Sequence, residues 1–246
     1  MRRSETFSVG PRPTLHIDVA SGSVEVRTVA AAGAMEVDID VESPDDWDIT
    51  QLGDSISVRY ARKGWRSRAA KVFVQTPPDT SVDVSVASAD IALLGTLGDA
   101  RVRSASGDVR IDSVQRLEVR TASGDVRANR VAGRLIASTA SGDVRVDTAG
   151  DDVEVGSASG DVRLGRCDGS TIAVKAVTGD IVLGLPAGIR VEPDISSLSG
   201  RTSLPSPATT PSPATTQAAE PRRVVRVHLR TVSGNITIER VKPLPR

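Results

Sequence analysis

Ser106-Gly107-Asp108 is followed by Ser123-Gly124-Asp125, Ser141-Gly142-Asp143, Ser159-Gly160-Asp161 and Thr178-Gly179-Asp180, so one small turn recurs at intervals of 17, 18, 18 and 19 residues. A period of this kind marks a repeat architecture, in which each unit buries its apolar side only against its neighbours. Aligned on the aspartate, the repeats show which positions face inward, because a strand alternates its side chains with period two. One residue after it stand Val109, Val126, Val144, Val162 and Ile181; three after it stand Ile111, Ala128, Val146, Leu164 and Leu183. Eight residues before it stand Ala100, Leu117, Leu135, Val153 and Ile172, and six before it Val102, Val119, Ala137, Val155 and Val174.

Each repeat therefore reads as two short half-buried strands joined by two turns, with Asp108, Arg110, Asp112, Glu118 and Arg120 among the outward residues. The glycine suits a turn that needs positive φ, and the flanking serine and aspartate can hydrogen-bond the turn backbone. An antiparallel meander would alternate too, but it favours two-residue Asn-Gly or Asp-Gly turns and mirror-related neighbours. Here every copy restarts in the same phase, which favours parallel stacking about 4.8 Å apart. The expected fold is all-β, a single-domain β-solenoid of 17–19-residue coils, with the meander as the lesser reading.

Degenerate copies extend the frame in both directions. Leu15, Ile17, Val19, Val24 and Val26 surround Ser21-Gly22-Ser23; Val82, Val84, Val86, Ile91 and Leu93 surround Ser88-Ala89-Asp90; Val227, Leu229, Thr231, Ile236 and Ile238 surround Ser233-Gly234-Asn235. The expected layout is one solenoid domain over 1–200 and 224–246. Residues 1–81 form irregular N-terminal coils or a cap, 82–200 the regular coils, and 224–246 the last coil, closed off by Pro243, Pro245 and charge. Between them, 201–223 carries a duplicated Pro-Ser-Pro-Ala-Thr-Thr block. That composition buries too little apolar surface to offset its ordering entropy, so a disordered insertion is expected there.

The candidate sites are few. Stacked Asp108, Asp125, Asp143 and Asp161 lie beside Arg110, Arg127, Arg145 and Arg163, a pattern read as structural and solubilising. A calcium ladder is the sharper alternative, but Gly-Gly-x-Gly-x-Asp is absent and one carboxylate per turn supplies few of the oxygens calcium takes. A polysaccharide lyase or hydrolase would need paired carboxylates in a local departure from the repeat, and the columns are uniform. His16 and His228 fall on outward positions without a Ser or Cys partner, and no glycine run resembles a phosphate loop. The single Cys167 excludes an intrachain disulfide and reads as a small core or turn residue.

A formal charge of zero gives no bulk attraction to nucleic acid, and aromatic residues make up only 2% of the chain. No stretch approaches the ~20 apolar residues of a membrane span, and no apolar run of signal-peptide length follows Met1-Arg2-Arg3. The expectation is a soluble chain, cytoplasmic by default, monomeric or weakly oligomeric, with an unknown protein or envelope partner. No catalytic, cofactor-binding or metal-binding residue is assigned. The assigned residues are the turns Gly22, Gly107, Asp108, Gly124, Asp125, Gly142, Asp143, Gly160, Asp161, Gly179, Asp180 and Gly234. A candidate interaction surface is the basic stretch Arg62, Lys63, Trp65, Arg66 and Arg68, which either engages an anionic surface or helps cap the first coils.

The Ser/Thr-Gly-Asp-Val/Ile turns, the strand Val72-Phe73-Val74-Gln75-Thr76-Pro77 and the Leu15 to Val26 copy resemble the bacterial putative-adhesin β-repeat family, also called toast-rack domains. That resemblance implies a right-handed β-helix-like solenoid associated with the cell envelope, with a role in adhesion or envelope-stress sensing. It implies no catalytic residue, cofactor or substrate, and points to a non-enzymatic interaction scaffold; a polysaccharide-acting β-helix enzyme is the alternative.

Overall fold

The computed structural model describes residues 1–29, 33–61, 69–204 and 224–241. Successive copies pair in parallel and in register. On one face Leu117 aligns with Leu135, Leu135 with Val153 and Val153 with Ile172. On the other, Val109, Val126, Val144, Val162 and Ile181 form one column. All twenty residues of the four aligned inward columns are at most 3% exposed. Their Val, Ile, Leu and Ala side chains form one spine between the two faces, where β-branched residues fit the pleat and small ones let the faces approach. The expected β-solenoid is the fold, with no α-helix among the described residues.

Antiparallel pairing is confined, among the described residues, to the N-terminal end. The strand Arg2–Ser8 pairs antiparallel with Ala34–Asp40, which pairs antiparallel with Ala70–Thr76; Trp47–Leu52 pairs antiparallel with Ser55–Tyr60. These strands close over Thr14–Thr28, the first full coil, whose two halves lie parallel to Ser55–Tyr60 and Ala70–Thr76 on the outside and to Ser81–Ser106 on the inside. Trp47, Tyr60 and Phe7 serve this closure. Trp47, 4% exposed, meets Tyr60 edge to face with ring centroids 5.6 Å apart, and Phe7 packs against the core. The alternating Met35, Val37, Ile39 and Val41 are buried beneath it.

Asp38 is the one charged side chain buried in the cap among the described residues, 6% exposed, and Arg2 reaches it with Nη2 at 2.8 Å and Nε at 3.3 Å. That hydrogen bond holds its carboxyl below the usual carboxylate range. A carboxyl with a lowered folded-state pKa contributes stability above its unfolded value and loses it as pH falls through the folded one. Stability should therefore be level above about pH 5 and decline below about pH 4. Asp38→Asn should cost on the order of 1 kcal/mol at neutral pH, since Arg2 is largely exposed and screened, and should shrink the acid decline. Urea midpoints at pH 3, 4, 5 and 7 for both proteins measure this.

At the C-terminal end the structure corrects the expected order. The strands Val224–Ser233 and Ile236–Val241 are not the last coil. They lie between the coil of Thr171–Thr178 and Ile181–Pro186 and the coil of Arg190–Ser199 and Thr202–Ser203. Thus Ile172 faces Val227, and Val227 faces Pro193. The physical reason lies in the two segments. The 224–241 coil points Val225, Val227, Leu229, Ile236 and Ile238 inward, all nearly or fully buried, as an interior position requires. The 190–203 coil offers Val191, Pro193, Ile195 and Ser197 at matching positions, and proline, with no N–H to donate, belongs at an edge.

The outer coil at this end thus carries Glu192, Pro193 and Asp194, residues that guard an edge, while the expected closure by Pro243 and Pro245 lies outside the described residues. Thr202–Ser203 is paired strand, against the expected start of the insertion at 201; the rest of that expectation falls on 205–223, which with 242–246 lies outside the described residues.

Cys167 is a core residue, 0% exposed, and burial pushes its thiol up to about 12. A buried thiol with so little thiolate is inert. It should react with an aromatic disulfide reagent at pH 8 only on unfolding; rapid stoichiometric labelling of native protein would contradict its placement.

Candidate interaction surface

The aspartates of the turns form a hydrogen-bonded staircase. The N–H of Asp108 donates to Asp90 Oδ1 at 3.0 Å, that of Asp125 to Asp108 at 2.9 Å, that of Asp143 to Asp125 at 3.0 Å and that of Asp161 to Asp143 at 2.8 Å. The steps continue from Asp180 to Asp161, from Asn235 to Asp180, and from Arg201 to the Asn235 side chain, following the spatial order of the coils. A short side-chain oxygen, from aspartate or in one copy Asn235, suits this position because it accepts from the neighbouring coil's backbone N–H at the corner. One oxygen of each carboxylate in the run is committed in this way. No group of three or more His, Cys, Asp or Glu side chains is placed to hold a metal among the described residues.

Beside this staircase, Arg110, Arg127, Arg145 and Arg163 stack in register. Arg127 reaches Asp125 Oδ2 at 2.7 Å, so neighbouring columns of opposite sign do meet laterally. On the other face the charges alternate along the stack instead. Asp83, Arg101 and Glu118 occupy successive coils: Arg101 Nε donates to Glu118 at 3.0 Å, while Arg103 reaches Asp83 at 3.2 Å. One step along the strand, Arg116 grips Asp99 with two hydrogen bonds of 2.8 and 2.6 Å.

Asp83, Asp99, Arg101, Arg116 and Glu118, with His16 and Arg134, line a groove of about 350 Å³. Hydrogen bonding and charge from Arg101, aided by Arg120 and Arg103, hold the Glu118 carboxyl below its ordinary range. A general acid in glycoside cleavage needs the opposite shift, a carboxyl kept protonated near neutral pH. The groove's acids are charge partners of its arginines. Sequence reasoning did not single out this groove; its signal was the sign alternation from Asp83 to Arg101 to Glu118.

A third surface runs along the glycine corner. From Gly107 onward, the residue two places before each turn glycine is exposed: Ala105, Ala122, Ala140 and Ala158, then Val177, Val232 and Leu198, in spatial order. The last three are 52%, 47% and 85% exposed, so a narrow stripe of small residues widens into an apolar patch at the C-terminal end. Of the predicted positions, the turn glycines from Gly107 to Gly179 and Gly234 line this corner, with Gly22 in the first coil. His16 and His228 are exposed, and His228 Nδ1 lies 3.2 Å from Asp194. Arg62, Lys63, Trp65, Arg66 and Arg68 lie outside the described residues.

Flat faces of in-register parallel coils, capped at one end and guarded at the other, define a β-solenoid scaffold. The sequence matches the Toastrack family, DUF4097, over residues 16–239, and the chain belongs to that family. A putative adhesin from Bacteroides fragilis shares the fold at 14% identity, with 98% of this chain and 97% of that one covered and a TM-score of 0.54. A putative lipid binding protein from Parabacteroides distasonis aligns at 12% identity, over 98% and 96% of the two chains, with a TM-score of 0.43. A putative adhesin from the same species aligns at 10% identity, over 98% and 97%, with a TM-score of 0.42. No curated protein matches. No helix among the described residues is long and apolar enough to cross a membrane.

Proposed function

We propose that this protein is a non-catalytic interaction scaffold that binds an envelope-associated protein partner through the apolar end of its glycine corner. The observation that carries this reading is the patch of Val177, Val232 and Leu198, three large side chains exposed side by side on adjacent coils. An exposed apolar patch rimmed by polar residues is the usual mark of a protein-binding surface. Its rim here is charged: Lys175 and Arg230 stand two residues before Val177 and Val232. The regular coils support the reading because their outward columns continue without the local break an active site requires. The fold shared with the Bacteroides fragilis protein described as a putative adhesin is consistent with it.

Photo-crosslinking residues placed at Val232, Leu198 and, on the opposite face, Arg145 test the proposal in the native cell. Discrete crosslinked protein from Val232 and Leu198, lost on adding Val177→Asp, is the expected result. Crosslinks from Arg145 alone, or none from any position, would overturn it.

A further inference from the structure

We propose that the partner of the apolar patch meets it with an amphipathic α-helix, acidic along one side, that lies on the glycine corner parallel to the solenoid axis. This rests on that patch being the binding surface. Val177, Val232 and Leu198 stand on consecutive coils, so they form a single file that repeats every ~4.8 Å and spans about 9.6 Å. A helix carries apolar side chains at i, i+3 or i+4, and i+7, at rises of about 4.5–6 Å and 10.5 Å. The two rows keep step over the whole patch. An extended strand laid along the same line offers a side chain on one face only every ~6.7 Å and falls out of step after the first contact. A sheet with strands parallel to the coils would match the repeat, but it packs through a face several residues wide. Here the apolar file is one residue wide. Lys175, Arg230 and Ser196 border it on one side and Thr178, Ser233 and Ser199 on the other, all of them exposed.

The acidic side follows from the bordering columns. Arg103, Arg120, Ser138, Gly156, Lys175 and Arg230 run in register along one side of the corner, four cations with no acid among them. Arg103 reaches Asp83 at 3.2 Å, Arg120 reaches Glu118 at 3.0 Å and Arg230 reaches Asp194 at 3.6 Å. Lys175, two residues before Val177, makes no ion pair with the described residues, so the cation at the patch is free for a partner's carboxylate. On the other side the hydroxyl column carries no charge, and beyond it the aspartate staircase would repel acids. Beyond Val177 the corner carries Ala158 and Ala140, then Ala122 and Ala105 in a shallow trough of about 560 Å³ that Arg120 and Arg103 also line. Side chains this small let a helix backbone approach. From Arg103 to Arg230 the column covers five coil steps, about 24 Å, the length of about 16 helical residues.

Photo-crosslinking residues placed singly at Val177 and Leu198 in the native cell, with the partner residues they reach located by mass spectrometry, test the helix. The two sites should reach partner residues about seven apart in sequence, with acidic residues along one side of the helix that contains them. Lys175→Glu should lower the crosslinking yield from Val177 about three- to tenfold, and Lys175→Arg should leave it unchanged. Partner residues about three apart, as an extended strand would give, or on segments distant in sequence, as a sheet would give, would overturn the helix and leave the binding surface in place. An unchanged yield with Lys175→Glu would overturn the acidic side and the proposal with it. No crosslinked protein, or crosslinks within this chain alone, would overturn the binding surface itself and all that rests on it.

Discussion

Gly142→Ala should lower stability by about 3 kcal/mol or more, whereas Gly156→Ala should change it little or raise it by about 0.5 kcal/mol. Both glycines belong to the regular coils, but their surroundings differ. Gly142 holds φ at +138°, and a Cβ there would sit 2.2 Å from the backbone oxygen of Gly124, which cannot give way without parting two coils. The same relation repeats along the corner: a Cβ on Gly124 would meet Gly107 O at 2.1 Å, and one on Gly160 would meet Gly142 O at 2.2 Å. Gly156, within the strand Val153–Ser159, has nothing within 4 Å of the added atom, and alanine there restricts only the unfolded chain. At roughly 2–4 °C per kcal/mol for a chain of this size, the first substitution should lower the melting temperature by about 6–12 °C. Scanning calorimetry of both variants gives the comparison; equal melting temperatures would mean that the corner does not require glycine.

Leu135→Ala should cost about 2–5 kcal/mol, with Ser138→Ala within about 0.5 kcal/mol of the parent. Leu135 is 0% exposed and is flanked in register by Leu117 and Val153 in the coils on either side, so the void left by truncation is bounded by side chains that are themselves fixed. Ser138, three residues on, points to solvent. The contrast between positions of opposite parity in one short strand reads out the period-two alternation through denaturant midpoints. A similar cost at both positions would place the strand differently.

The columns were legible because the fold is translational. Each repeat satisfies the same constraints as the last, so Val109, Val126, Val144 and Val162 announce a shared position by phase alone. The staircase explains a residue that phase left unexplained: aspartate follows glycine because its carboxylate receives the next coil's N–H. Phase says nothing about which copy sits beside which, however. Ser199-Gly200 and Ser233-Gly234 are equivalent by pattern, and the larger step from Gly179 to Gly200, 21 residues, was the signal that a slot is skipped. Pro193 pointed the same way, since it fits an edge and not an interior strand. The interaction surface was harder to read, because it is built from the outward side of the repeat. Alanine before each turn looks like a neutral choice until Val177, Val232 and Leu198 stand together, and only the spatial order of the last coils brings Leu198 beside Val232.

Spin labels on Ala105→Cys and Val177→Cys report directly on whether coils stack in parallel, with Cys167 too deeply buried to be labelled. Four coil-to-coil steps separate the two positions, through Ala122, Ala140 and Ala158. Parallel in-register coils place equivalent backbone positions about 19 Å apart over four steps of ~4.8 Å, while a meander with two strands per repeat would place them about 38 Å apart. A dipolar distance centred near 20 Å is the expected result, and one near 40 Å would contradict the fold and the surface built on it.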